Sequence, residues 1–170
     1  SYTVGPTQAG RALKVYADQG DVVTVRQVLG EIDPVDLNQR LTALSAAASR
    51  AESAVVAAQA QLRDLSSQND LAQTTAARYS ELYAKQAISQ ELLDSKHNAA
   101  TAAQAKMDAG YAALLSANEE VNKANADYRA VQDQQNNLRL ISPVNGVIVS
   151  RDAEPGAAIV AGQAVFHLVD

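Results

Sequence analysis

Cysteine and tryptophan are absent from this chain, and phenylalanine and methionine occur once each. Without cysteine there is no disulfide framework, no thiolate metal site and no cysteine nucleophile. Aromatic residues are scarce, and alanine contributes more than any other residue to the hydrophobic fraction of 47%. Alanine buries little area, so a thick globular core is not expected; thin, close-packed helices are. No apolar run approaches the roughly 18 residues of a membrane-spanning helix, and no signal peptide is visible. The net charge is −5, and the basic residues form no stripe with interleaved aromatics. That pattern argues against nucleic-acid binding, and no nucleic-acid partner is expected.

Proline and glycine are missing from the middle of the chain. Between Pro34 and Pro143 there is no proline, and the only glycine is Gly110. Outside that stretch one pattern is written twice, 136 residues apart: Gly10, Gly20, Gln27, Leu29 and Ile32 align without a gap on Gly146, Gly156, Gln163, Val165 and Leu168. Each copy is rich in β-branched residues and punctuated by glycine, so each reads as short strands and tight turns. Residues 8–33 and 141–169 are therefore expected to form the two halves of one β module. Neither half has enough residues to fold alone. The chain opens inside strand-like sequence and stops directly after more of it, which reads as a piece of a longer protein.

The middle, residues 34–140, has the heptad alternation of a coiled coil. Leu37, Leu41, Leu44, Ala48, Ala51, Val55, Ala58, Leu62 and Leu65 lead to Asn69, Ala72, Ala76, Tyr79 and Tyr83. A lone polar seam residue such as Asn69 fixes register at some cost in stability. A second seam runs from Leu93 through Ala100, Met107, Gly110, Leu114, Val121 and Val131 to Leu138. Two helices of about 50 residues are expected, each on the order of 75–80 Å long. Asp33-Pro34 is expected to start the first, with the carboxylate as cap and proline at the first helical position. The reversal is placed near 86–89, where Ser89 suits an N-cap and Glu91 a first turn. The fold class is thus α+β, a long antiparallel helical hairpin inserted between two β halves.

These residues resemble a known family. Gly20-Asp21-Val22-Val23 with Gln27-Val28-Leu29 and Ile32-Asp33-Pro34 is similar to the first lipoyl-like half-motif of the HlyD-like periplasmic adaptors, or membrane fusion proteins. Ile141-Ser142-Pro143-Val144-Asn145-Gly146-Val147-Ile148, with Pro155-Gly156 and Gly162-Gln163, looks like the second. In that family the two halves of a lipoyl-like β-sandwich, or barrel-sandwich hybrid, flank a helical hairpin. Arg78, Leu82 and Ser89 resemble the Arg-x3-Leu-x6-Ser tip motif of adaptors that engage TolC-type outer-membrane channels. One departure stands out: the family has glycine before the glutamine of the first half-motif, where this chain has Arg26. If that turn needs a positive φ, Arg26 is strained.

The resemblance implies a non-enzymatic adaptor in the periplasm of a Gram-negative bacterium, anchored to the inner membrane in the full-length protein. It would link an inner-membrane pump of ABC, RND or MFS type to a TolC-like channel and export drugs or other small molecules. It would also self-associate, as a hexamer in the assembled pump. The flank positions Ala47, Ala54, Gln61, Gln68 and Thr75 are small and uncharged, so hairpins lying side by side desolvate few ions. Alternatives stay open: a type I protein-secretion adaptor, or a structural coiled-coil spacer that binds no channel. Arg78 and Leu82 lie off the seam and read either as a docking tip with Leu82 exposed, or as a solvated arginine and an ordinary leucine. No cofactor is expected. A swinging lipoyl or biotinyl carrier needs a lysine at the turn joining the halves, and the only lysine in them is Lys14. His97 and His167 have no companions at metal-ligand spacing and read as surface or hydrogen-bonded histidines.

Overall fold

A computed structural model describes residues 1–34 and 36–170. Val35, within the range expected to be helical, lies outside the described residues. Among the described residues, seven strands and two helices follow one another as β1 (Tyr2–Val4), β2 (Ala12–Val15), β3 (Val22–Val23), β4 (Val28–Asp33), α1 (Leu37–Ala84), α2 (Gln90–Asn136), β5 (Arg139–Ile141), β6 (Gly146–Arg151) and β7 (Phe166–Val169). The chain divides into two compact units, Ser1–Leu44 with Asp127–Asp170, and Ser45–Ala126.

In the first unit the two sheets have the orders β1-β7-β6-β3 and β2-β4-β5, all pairs antiparallel. Each sheet takes strands from both halves of the sequence, so neither half can complete a sheet without the other. The sheets share one apolar core built from Leu13, Leu29, Ile32, Ile148, Val165, Phe166 and Leu168 among others. Residues of both copies contribute to it, and their burial is the main drive for closing the module.

The repeat extends to individual backbone bonds. Lys14 faces Glu31 as Ser150 faces His167, and Val23 pairs with Gly146 as Ile159 pairs with Gly10. The Tyr16 N–H donates to the Leu29 carbonyl at 2.9 Å, and the Asp152 N–H to the Val165 carbonyl at 2.7 Å. In the two glutamine turns, Thr24 and Val160 each donate a backbone N–H to the side-chain oxygen of Gln27 and Gln163. Those turns hold the position before the glutamine in the left-handed region, at φ 69° for Arg26 and 81° for Gly162. Both amides are also used: Arg26 donates to the Ser142 carbonyl at 2.8 Å and Gly162 to that of Pro6 at 2.9 Å. The condition for strain at Arg26 is therefore met.

Three boundaries differ from those expected. Strands begin earlier than residues 8 and 141, at Tyr2 in β1 and Arg139 in β5. Asp33 does not cap α1; it closes β4, where its carbonyl accepts the Arg11 N–H at 2.8 Å. The first helical bond runs from the Arg40 N–H to the Asp36 carbonyl at 3.0 Å, so α1 starts three residues later. Asp36 holds φ 61°, outside the right-handed helical region, so a helix begun at Pro34 could not run through it.

In the second unit both heptad seams are covered except at Tyr83, which is exposed at the end of α1. Asn69, Ala76, Ala100 and Gly110 are buried, and the intervening seam residues are half-buried. At Gly110 the two helices approach closely: a Cβ there would lie 2.7 Å from Leu65 Cδ1, so that side-chain end would have to shift. Asn69, only 6% exposed, donates to Gln104 Oε1 at 3.2 Å and accepts from Gln73 Nε2 at 3.0 Å. Gln73 also donates to the Ala100 carbonyl across the seam. The polar layer is thus satisfied by its own side chains.

Candidate functional site

The turn between the helices is built from one termination signal and one initiation signal. Gln86 adopts φ 60°, its N–H donates to the Tyr83 carbonyl at 2.9 Å, and the Ala87 N–H donates to the Leu82 carbonyl at 2.8 Å. That pair of bonds is a Schellman cap, which satisfies the last carbonyls of a helix and favours glycine at the left-handed position. Ser89 then caps α2, its Oγ accepting the Leu92 N–H at 3.1 Å while its carbonyl accepts the Leu93 N–H. Only Ile88 separates the end of one cap from the start of the next, so the turn is tightly specified.

Arg78 and Leu82 lie one helical turn apart on α1, just before this reversal. Arg78 is exposed and has no acidic partner among the described residues. Leu82 is half-buried, which corrects the expectation of an exposed leucine, and Tyr83 is the exposed neighbour at 40%. The Schellman cap explains the exchange. Its bond from the Ala87 N–H to the Leu82 carbonyl turns the chain back over the last helical turn, and Ile88, the next residue, is half-buried as well. Tyr83 and Leu92 supply the exposed apolar surface that Leu82 was expected to offer.

Sequence spacing did not reveal two further pairings near the turn. Lys96 Nζ lies 5.1 Å from the centre of the Tyr79 ring, a cation–π contact between the helices. Ser80 Oγ and His97 Nε2 are 2.8 Å apart, which gives His97 a partner. His167 is paired too, with Asp152 at 2.6 Å in the β unit. Lys14 sits within β2 opposite Glu31, not at a turn. Glu31 also accepts the Tyr16 hydroxyl at 3.0 Å, and this bond raises the phenol above its ordinary pKa of 10.0. Among the described residues, no group of three or more His, Cys, Asp or Glu could hold a metal ion.

The arrangement at the turn suits recognition. A rigid reversal presents a planar, unpaired guanidinium beside apolar surface, and a guanidinium donates to partner carbonyls through a fixed fork.

The family model described as "RND MFP, barrel-sandwich hybrid domain" matches residues 1–170. Among solved structures, the chain is similar to a candidate efflux transporter from Bacteroides eggerthii DSM 20697, with 18% identity and a TM-score of 0.56, covering 99% of this chain and 39% of that one. It is also similar to ZneB from Cupriavidus metallidurans, with 23% identity and a TM-score of 0.52, covering 99% of this chain and 60% of that one. The chain thus spans less than two thirds of these proteins, and at such identity the likeness shows the fold alone. No curated protein sequence matches.

Proposed function

The chain belongs to the RND membrane fusion proteins, and on that premise we propose that it is the hairpin-bearing part of a periplasmic efflux adaptor. The adaptor joins an inner-membrane pump to a TolC-like outer-membrane channel and exports drugs or other small molecules. The RND class is the pump type favoured by the family description. The whole protein is inner-membrane anchored in a Gram-negative periplasm and assembles with further copies of itself, as a hexamer in the working pump.

The observation that carries this proposal is the doubly capped turn with exposed Arg78 next to Leu82. A guanidinium without an acidic partner among the described residues, beside a reversal fixed by two caps, is free to donate to the carbonyls of a docking partner. The helices supply reach, since 48 and 47 residues amount to about 70 Å each at 1.5 Å per residue. Arg78, Leu82 and Ser89 have separate roles here. Arg78 donates to the channel, Leu82 buries its remaining exposed edge there, and Ser89 holds the turn in shape.

Arg78→Asp and Leu82→Asp, introduced at the chromosomal gene, should abolish export and capture of the outer-membrane channel while circular dichroism still reports full helicity. Undiminished capture by both variants would remove the tip from the mechanism.

A further inference from the structure

The hairpin unit Ser45–Ala126 has two long flanks that differ in charge. Ser80 meets His97, Gln73 meets the Ala100 carbonyl and Asn69 meets Gln104. Those contacts define one flank. Helical spacing places Glu52, Asp70, Asp94 and Asp108 along it, opposed by Arg63, so its balance is acidic. The opposite flank carries Arg50, Arg78, Lys106 and Lys123, opposed by Asp64 and Glu120, and its balance is basic. All of these side chains are exposed.

The flanks also differ in shape. The acidic one contains an open trough of about 700 Å³ lined by small residues, among them Ala77, Ala100, Thr101 and Ala105. On the basic one Leu71 stands 70% exposed. Leu71 is level with that trough, because Asn69 and Gln73 on either side of it bond to Gln104 and Ala100, which both line the trough.

We infer that the acidic trough of one copy receives Leu71 and the basic flank of a second copy lying alongside in the same direction. The inference rests on the self-association in the proposed function and specifies its surfaces. One chain carries both complementary faces at one height, which fits a second copy. The contact is heterologous, so each copy keeps a free face for the next. Exposed ion pairs add little strength and are screened by salt, but they select which face meets which.

The absence of cysteine allows a direct test. Leu71→Cys and Thr101→Cys chains are prepared separately, mixed and mildly oxidised at about 0.05 M and about 0.5 M salt. Disulfides joining a Leu71→Cys chain to a Thr101→Cys chain should exceed either homodimer several-fold at low salt, and the excess should shrink at high salt. Adding Asp70→Lys and Asp108→Lys to the Thr101→Cys chain should suppress these mixed disulfides. Lys106→Glu and Lys123→Glu in the Leu71→Cys chain should restore them. Homodimers in equal or greater yield overturn the inference, as does a yield no higher than that of a Ser53→Cys control on the outer face. Channel capture is scored independently. Normal capture with unselective cross-linking rejects the lateral pairing alone, and lost capture with selective cross-linking rejects the adaptor role alone.

Discussion

Arg26→Gly should stabilise the β unit. Arg26 sits at φ 69° in a turn whose copy places glycine at the same position. A non-glycine residue in the left-handed region costs about 1–2 kcal/mol. Glycine removes that strain but adds unfolded-chain entropy worth roughly 0.4–1 kcal/mol. The Arg26 side chain is exposed and forms no ion pair among the described residues, so little else is lost. The net gain is therefore about 0.5–1 kcal/mol. The repeat supplies the reciprocal experiment. A Cβ at Gly162 would meet nothing within 4 Å, so Gly162→Ala adds no clash and sets the same dihedral strain against the same entropy gain, for a net cost of about 0.5–1 kcal/mol. Far-UV dichroism is dominated by the helices, so native-state hydrogen exchange at the core amides of Leu29 and Val165 is the better assay. Slower exchange in Arg26→Gly and faster exchange in Gly162→Ala are expected. A less protected Arg26→Gly variant, or a neutral Gly162→Ala, would refute the strain argument.

At the hairpin turn, Ser89→Ala should lower the melting temperature by removing a cap worth about 1 kcal/mol, and Gln86→Gly should raise it by relieving a left-handed position worth about 0.5–1 kcal/mol. Thermal melts followed at 222 nm read both, and changes of the same sign would contradict the assigned caps. Asn69→Leu should raise hairpin stability by about 1 kcal/mol while loosening register. Cross-links between cysteines paired across the seam should then form at neighbouring offsets as well, and an unchanged single register would show that Asn69 is not the pin. In the β unit, Glu31→Ala should return the Tyr16 phenol towards its ordinary value, read as an earlier rise in tyrosinate absorbance. Because the folded value is the raised one, the contact's contribution to stability is whole below pH 10 and declines as pH climbs through the folded value.

Much of the fold is legible in the sequence. The heptad alternation identified nearly every covered seam position from Leu37 to Val131, because helix pairing repeats over many turns and each turn confirms the last. Tyr83 breaks it, exposed at the end of α1 where its carbonyl is taken up by the C-cap. Ser89 was legible because an N-cap is a local bond between a side chain and a backbone group three residues on. The C-cap was not, because its left-handed residue is Gln86, and only glycine or asparagine advertises such a position in sequence. The strands β1 and β5 are not legible, for another reason. Three residues carry too little alternation to read, and each is a strand only because a distant segment pairs with it, β7 for β1 and β4 for β5.

By itself, the sequence determined the helix pairing, the duplicated turns and the place of the reversal. These depend on local bonds and on periodicities that any window of the chain displays. Only the tertiary structure decided that Asp33 belongs to a strand, that Tyr83 is exposed while Leu82 is half-covered, and that Leu71 stands level with a recess on the opposite flank. Those outcomes depend on contacts between residues far apart in the chain, where competing local preferences are settled by which backbone groups find partners and which apolar surfaces find cover.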